Sequence, residues 1–208
     1  MHTIKKYFPE LSEDQLNKME KLGQLYKEWN QKINVVSRKD IDNIYSHHIL
    51  HSLAIAKAMP LMPNAKILDL GTGGGLPGIP LAILYPKTTF KLIDGTRKKI
   101  KVVNAIIKAL GLSNAKGFQL RAEETKEKFD FVICRAVASI DKLYEWSSPL
   151  ISNRHLHSMP NGLITLKGGD IEAEMKLLPK FVYYDILEIQ DYFPEPQFES
   201  KVMVYAQV

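Results

Sequence analysis

The sequence predicts a three-layer α/β domain, in which a mostly parallel sheet carries helices on both faces, with an N-terminal helical appendage. Three observations indicate this fold. The first third of the chain has helical apolar spacing, strand-like and helix-like segments alternate after it, and a glycine-rich loop follows the first of those strands. Alternating strands and helices build parallel βαβ units. We therefore expect a helical extension over residues 1–60, packed on the core, and the α/β domain over residues 61–208.

The helical extension is predicted from capping residues and apolar spacing. Ser12 and Gln15 have the spacing of a capping box, which starts a helix. Apolar residues then recur three and four positions apart as far as Ile33, which is typical of an amphipathic helix. A second helix is predicted from about Asp40 to Ala58.

The rest of the chain contains seven strand-like segments. They lie at 65–70, 89–94, 116–120, 129–134, 162–166, 181–189 and 201–208. Helices are predicted between them, ending at Leu84, at Gly111, and over residues 140–146 and 171–178. Because no helix separates the last two strands, we expect them to close one sheet edge as a hairpin.

Composition excludes several classes of protein. The 208 residues include 28 Lys plus Arg and 23 Asp plus Glu, a net charge of +5, and a single cysteine. One cysteine excludes an internal disulfide and a Cys-based zinc site. No apolar stretch approaches the ~20 residues that cross a bilayer, and no signal-peptide core is present. We expect a cytoplasmic monomer that does not contact membranes, and the charge permits a polyanionic partner.

The glycine-rich loop lies at the first βα turn, where open α/β sheets bind nucleotides. Gly73, Gly75 and Gly78 formally satisfy the dinucleotide fingerprint. However, Pro77 and Pro80 remove two N–H donors from the first turn of the following helix, where a pyrophosphate would bind. The loop therefore suits a ligand without a diphosphate.

Two carboxylates flank this loop in a pattern that favours S-adenosylmethionine. Asp69 precedes the glycines, and Asp94 ends the second predicted strand. A carboxylate at the position of Asp94 can accept hydrogen bonds from both ribose hydroxyls of a nucleoside. The alternative is that Asp94 only caps a turn.

The segment Asp69–Ala82, DLGTGGGLPGIPLA, resembles the cofactor loop of the RsmG family, also called GidB. These are bacterial class I, Rossmann-like methyltransferases that act on small-subunit ribosomal RNA. Further similar segments follow in the same order and spacing, and the resemblance covers roughly residues 29–168. They are Asn34–Ser37, His48–Leu53, Arg121–Glu124 and Arg135–Ser139. The chain departs from the family pattern at His47, where Arg is usual, and at His51, where Asp is usual.

The resemblance implies methyl transfer from S-adenosylmethionine to N7 of one guanine in 16S ribosomal RNA. The partner is then 16S ribosomal RNA or the small ribosomal subunit. Most of the predicted cofactor-binding residues are taken from the positions that match the family's motifs. Asp69 and Gly73 are added because they belong to the glycine-rich loop. The set is Asp69, Gly71, Gly73, Leu76, Asp94, Ala122, Glu123 and Arg135. Because guanine N7 has a lone pair and no proton, the transfer requires alignment and exclusion of water rather than a general base.

No catalytic residue is assigned, but three side chains are candidates for contact with the reacting groups. His48 and Ser52 lie four residues apart and are expected to face the main domain. His48 either contacts a flipped guanine or is a core histidine. Arg135, which ends the fourth strand, pairs either with the cofactor carboxylate or a phosphate, or with Glu123. Cys134 lies in an apolar strand and is expected to be a buried, inert thiol.

Basic residues at the ends of elements are candidates for RNA binding. They are Arg38, Lys39, Arg97, Lys98 and Lys167. Cations at a helix N-terminus oppose the helix dipole, which favours a phosphate-binding role, although a solvated charge run is the alternative.

Two further features receive no function. His47 and His51 form an i, i+4 pair that can bind zinc, but no third ligand is evident and no metal is expected. The segment 151–161 is assigned no role.

Three other functions are compatible with part of the sequence. A small-molecule or other RNA methyltransferase would have the same fold. An NAD(P)-dependent oxidoreductase would use the glycines but is disfavoured by the two prolines. A ribosome-assembly factor that has lost cofactor binding is disfavoured by the intact loop and Asp94.

Overall fold

The computed structural model describes residues 1–155, 157–169 and 171–208. Leu156, in the segment to which the sequence assigns no role, lies outside the described residues. The helices are α1 His2–Tyr7, α2 Glu13–Asn30, α3 Leu50–Ala58, α4 Gly78–Leu84, α5 Arg97–Leu110, α6 Ile140–Ser147 and α7 Glu172–Met175. The strands are β1 Lys66–Leu70, β2 Thr89–Ile93, β3 Ala115–Phe118, β4 Phe131–Arg135, β5 Gly162–Gly168, β6 Tyr184–Glu188 and β7 Lys201–Gln207.

The strands form one seven-stranded sheet in the order β3-β2-β1-β4-β5-β7-β6. The first five strands are parallel, and β7 pairs antiparallel with both β5 and β6, so the predicted closing hairpin is confirmed. The strand order reverses between β1 and β4, and in open α/β sheets ligands bind outside the carboxyl ends of the strands at such a point.

The N-terminal helices share the main hydrophobic core with the sheet. Met19, Leu22 and Tyr26 of α2 are fully buried, and Ser12 caps this helix with Gln15 as the predicted capping box. The buried hydroxyl of Tyr26 donates a hydrogen bond of 3.0 Å to the Gly74 carbonyl oxygen in the glycine-rich loop. The helical extension therefore supports the loop directly.

The second predicted helix is not one regular α-helix. It consists of a 3₁₀ turn at Ile41–Asn43, a π-helical segment at Ile44–Ile49, and α3. The apolar spacing used for the prediction does not distinguish these windings. Isolated π-helical turns occur frequently at functional sites, and this one carries two adjacent histidines.

Smaller differences concern the ends of the chain. The helix α1 was not predicted, and α7 is shorter than the predicted helix over residues 171–178. The last hairpin begins at Tyr184 rather than at residue 181, and Phe181 is largely exposed. Within the described residues, none of the helices has the length and apolar character that crossing a bilayer requires.

Removing the Tyr26 hydroxyl tests the coupling between the helical extension and the loop. We expect Tyr26→Phe to lower the free energy of unfolding by ~1–3 kcal/mol, because the buried Gly74 carbonyl loses its partner. The matched control is Tyr45→Phe, whose hydroxyl donates to the Glu20 carbonyl at an exposed position that water can replace. Urea unfolding of the two variants measures the difference, and equal losses would show that the bond from Tyr26 is unimportant.

Candidate active site

Gly71 and Gly73 of the glycine-rich loop share a left-handed backbone conformation but differ in their surroundings. Gly71 and Gly73 have positive φ angles of +67° and +59°, which L side chains rarely adopt. A Cβ atom at Gly71 would lie 2.7 Å from the side chain of Val137, so the backbone there has no room for one. A Cβ atom at Gly73 would meet no described atom within 4 Å. The loop thus leaves open space beside Gly73.

The side chain of Asp69 stabilises the glycine-rich loop through hydrogen bonds. This side chain is fully buried, and its Oδ2 atom accepts hydrogen bonds from the Thr72 hydroxyl at 2.6 Å and the Gly78 N–H at 2.8 Å. Burial raises the pKa of Asp69 to about 7. The structure places this predicted cofactor ligand inside the loop, and Leu76, another predicted ligand, is buried in the main core.

A cavity of about 250 Å³, the cofactor cavity, lies between the carboxyl ends of β1 and β2 and the segment after β3. Four of the predicted cofactor-binding residues line it, namely Gly71, Asp94, Ala122 and Glu123. Val137 and Trp146 also line it, and neither was among the predicted site residues, although Val137 lies in the family-like segment Arg135–Ser139.

Asp94 both caps a turn and faces the cofactor cavity, so the two interpretations of this residue are compatible. Its Oδ1 atom accepts a hydrogen bond from the Thr96 N–H at 2.8 Å, and its Oδ2 atom accepts one from the Gly73 N–H at 3.1 Å. Lys99 Nζ lies 3.7 Å from the carboxylate. Each carboxylate oxygen retains acceptor capacity toward the cavity.

A second cavity of about 680 Å³, the larger cavity, lies next to the cofactor cavity. Val137 lines both and separates them. The larger cavity is lined by charged and aromatic side chains from four parts of the chain, including Asp40, His47, His48, His51, Arg135, Lys167, Glu174, Phe198 and Lys201.

Asp40 organises one wall of the larger cavity. Its carboxylate contacts His47 Nδ1 at 2.7 Å and His48 Nε2 at 2.6 Å. Burial opposes the charge of Asp40, but hydrogen bonds from His47, Asn43 and His48 outweigh it and lower its pKa. Because an ionised carboxylate only accepts hydrogen bonds, both ring nitrogens carry protons and donate.

Arg135 contacts the other side of the His48 ring. Its Nη2 atom lies 3.3 Å from His48 Nδ1, and its Nη1 atom donates to the His48 carbonyl oxygen at 3.4 Å. Since a guanidinium only donates, His48 Nδ1 is the acceptor, and His48 is a neutral ring that donates through Nε2. Burial and the neighbouring Arg135 charge both lower the pKa of His48, in agreement with a neutral ring.

Some N–H donors of the Arg135 guanidinium have no acceptor among the described residues. The guanidinium forms no ion pair with any described residue, so the predicted alternative of a salt bridge to Glu123 is not observed. Burial lowers its pKa. A partly buried cation without an ion-pair partner among the described residues is costly, which makes Arg135 a suitable ligand for an anion.

Lys167 and Ser52 are both engaged within the protein. Lys167 Nζ donates to the Ala138 carbonyl at 2.6 Å and to Glu174 Oε2 at 2.7 Å, which fixes the segment after β4. Ser52 is fully buried, and its hydroxyl donates to the His48 carbonyl at 2.8 Å within the helix. Ser52 is thus engaged with the helix backbone and lies away from the lining of both cavities.

Cys134 and His51 are buried neutral groups. Burial raises the pKa of the Cys134 thiol to about 12, which agrees with the expected inert cysteine. Burial lowers the pKa of His51 to about 3, and its ring packs edge-on against Phe198.

The remaining basic candidates lie at the surface and outside the lining of both cavities. Arg97 and Lys98 are exposed at the start of α5, directly after Asp94. Arg38 and Lys39 are exposed immediately before Asp40.

Comparison with known proteins assigns the family. The family model described as "GidB: rRNA small subunit methyltransferase G" matches residues 15–188. Proteins named "Ribosomal RNA small subunit methyltransferase G" are similar over almost their whole length. The protein of Christiangramia forsetii is 49% identical over 99% of this chain and 96% of its own. That of Flavobacterium johnsoniae is 50% identical over 99% and 97%, and that of Bacteroides thetaiotaomicron is 49% identical over the full length of both.

Solved structures show the fold independently. A SAM-dependent methyltransferase from Aquifex aeolicus superposes with a TM-score of 0.56 at 16% identity, covering 74% of this chain and 88% of that one. MtNAS in complex with MTA and tNA superposes with a TM-score of 0.60 at 11% identity, covering 93% and 69%. The chain therefore has the Rossmann-like class I methyltransferase fold and belongs to the GidB family, the family of ribosomal RNA small subunit methyltransferase G.

Proposed function

We propose that this protein transfers the methyl group of S-adenosylmethionine to N7 of one guanine in 16S ribosomal RNA. The observation that carries the proposal, beside family membership, is the arrangement of two adjacent cavities that share Val137 as a wall. The cofactor cavity offers the groups that the nucleoside part of the cofactor requires, and the larger cavity offers Arg135 for the cofactor's carboxylate and a volume in the range of small-molecule sites. We further infer that the protein acts in the cytoplasm as a monomer.

The residues present fit S-adenosylmethionine. Space beside Gly73 is open, Asp94 offers carboxylate oxygens at the position where ribose hydroxyls bind, and Arg135 is a cation without an ion-pair partner. We assign Asp94 to the ribose and Arg135 to the amino-acid carboxylate. When bound, the cofactor supplies an electrophilic methyl group on a sulfonium.

The side chains around the larger cavity are suited to alignment rather than to proton transfer. Guanine N7 attacks through a lone pair and releases no proton, so no general base is required. The one proton of His48 is donated to Asp40, and its Nδ1 lone pair faces Arg135. This neutral, fully paired ring orients Arg135, and the enzyme contributes positioning and exclusion of water.

The exposed basic residues are suited to the RNA backbone. Arg38, Lys39, Arg97 and Lys98 are solvent-exposed and lie in the chain within four residues of Asp40 or Asp94, which line the two cavities. We assign them to phosphate contacts, which position RNA without specifying its sequence. Lys167, by contrast, is held by Ala138 and Glu174, and we assign it to the shape of the site.

The open space beside Gly73 provides a test of the cofactor site. We expect Gly73→Ala to weaken S-adenosylmethionine binding by about tenfold or more, because the added Cβ projects into the space assigned to the cofactor. Isothermal titration calorimetry measures the dissociation constant.

Gly111→Ala is the matched control for this variant. Gly111 caps α5 with a φ of +62°, and a Cβ there also meets nothing within 4 Å. Both variants pay the same backbone strain of ~1–2 kcal/mol, but only Gly73→Ala should lose cofactor affinity. Equal affinities in the two variants would refute the assignment of this space to the cofactor.

The product itself tests the reaction. Borohydride followed by aniline cleaves RNA at N7-methylguanosine, and the cleavage sites can be mapped along the full 16S RNA. We expect one cleavage site to disappear in RNA from cells that lack this gene and to return when this chain is expressed. A cleavage pattern identical to that of the parent strain would contradict the proposed function.

A further inference from the structure

We propose that Glu174 determines the base specificity of the reaction by accepting hydrogen bonds from N1–H and the 2-amino group of the target guanine. This inference rests on the proposed function and extends it to the recognition of the base. The inference is based on which carboxylate oxygens around the larger cavity have no hydrogen-bond donor among the described residues.

The larger cavity has the size and position of a site for a flipped nucleotide. Its volume of about 680 Å³ lies within the range of ~300–1,000 Å³ that is usual for small-molecule sites. It adjoins the cofactor cavity at Val137. Enzymes that modify a base commonly take it out of the stack and bind its Watson–Crick edge in such a pocket.

Two carboxylates of described residues line this cavity, Asp40 and Glu174. Both oxygens of Asp40 already accept hydrogen bonds from described residues, Oδ1 from His47 and Asn43 and Oδ2 from His48, whereas Oε1 of Glu174 accepts none. Asp40 is therefore committed to the histidines.

Glu174 is occupied on one oxygen only. Its Oε2 atom accepts hydrogen bonds from Lys167 Nζ at 2.7 Å and from the Ile140 N–H at 2.9 Å. No described residue donates to Oε1, and the side chain is 32% exposed. The two bonds to Oε2 hold the carboxylate, and Oε1 is left as an acceptor without a described donor on a residue that lines the larger cavity.

As a hydrogen-bond acceptor, Oε1 is complementary to the Watson–Crick edge of guanine and not to that of adenine. The Watson–Crick edge of guanine presents two adjacent donors, N1–H and the 2-amino group, whereas adenine presents an acceptor at N1. An ionised carboxylate only accepts hydrogen bonds, so it binds the first edge and repels the lone pair of the second. Because N7 lies on the other side of the purine, binding at this edge leaves N7 free to face the cofactor cavity.

The test combines a change in the enzyme with a change in the base. Small subunits are assembled around 16S transcripts that carry guanine or inosine at the position mapped by cleavage. Inosine keeps N7 and N1–H and lacks only the 2-amino group. The kcat/KM for methylation by the wild-type protein and by Glu174→Gln is measured on both substrates.

We expect the wild-type protein to prefer guanine over inosine by about 10–100-fold, as is usual for a lost hydrogen bond to a charged group. In Glu174→Gln this preference should fall below about threefold, because an amide N–H replaces the acceptor. The same variant should methylate subunits that carry adenine faster than the wild-type protein does, since that N–H can donate to adenine N1.

Glu172→Gln is the matched control. It removes the same charge from the same short helix, and Glu172 is exposed and lies away from the lining of the larger cavity. The preference of Glu172→Gln for guanine over inosine should equal that of the wild-type protein. Because each preference compares two substrates with one enzyme preparation, the fraction of folded enzyme cancels.

The outcomes separate this inference from the function on which it rests. If the wild-type protein methylates guanine subunits and Glu174→Gln keeps the full preference over inosine, Glu174 does not determine specificity. If the wild-type protein methylates no guanine in these subunits, the proposed function fails, and the role of Glu174 fails with it.

Discussion

The close approach of two loops at the carboxyl ends of β1 and β4 is the constraint on which the rest of the site depends. These strands pair side by side at the point where the strand order reverses, so the segments that follow them start from adjacent positions at one edge of the sheet. At the meeting point Gly71 leaves no space for a Cβ atom beside Val137. The contact forms a thin wall, with the cofactor cavity on one side and the larger cavity on the other. Direct methyl transfer requires close alignment of the nucleophile and the methyl carbon, and the two cavities adjoin at this contact.

Contacts from distant parts of the chain stabilise the two loops that form this wall. Tyr26, from the helical extension, bonds to the carbonyl of Gly74 in the first loop. Lys167, from β5, bonds to the carbonyl of Ala138 in the second. Asp40, from the turn before the π-helical segment, aligns His48 and through it Arg135. The extension is thus part of the active-site construction, since it supplies the histidines and the carboxylate of one cavity wall.

The features that could be predicted from the sequence are those that depend on residues close together in the chain. The glycine-rich loop, the carboxylate of Asp94 and the alternation of strands and helices depend on neighbouring residues and regular spacing, and the structure confirms the fold that they predict. The placement of Gly71, Asp94, Ala122 and Glu123 around one cavity agrees with the expected cofactor site, although their contact with the cofactor remains a prediction.

The residues that sequence reasoning missed are defined by tertiary contacts. Asp40 and Glu174 resemble ordinary surface carboxylates in the sequence, and only folding brings them to the larger cavity. The π-helical winding leaves no signature in apolar spacing, so the shared contact of His47 and His48 with Asp40 was not foreseen. Ser52 shows the opposite error, because its spacing from His48 suggested a shared site, whereas its hydroxyl satisfies the helix backbone.

The central claim is that the two cavities are the two halves of one methyl-transfer site. A crystal structure with bound S-adenosylhomocysteine tests this claim most directly. We expect the ribose hydroxyls to bind Asp94, the carboxylate to bind Arg135, and the sulfur to lie beside Val137 with its open side toward the larger cavity. A sulfur atom directed away from the larger cavity, with Arg135 still unpaired, would contradict the claim.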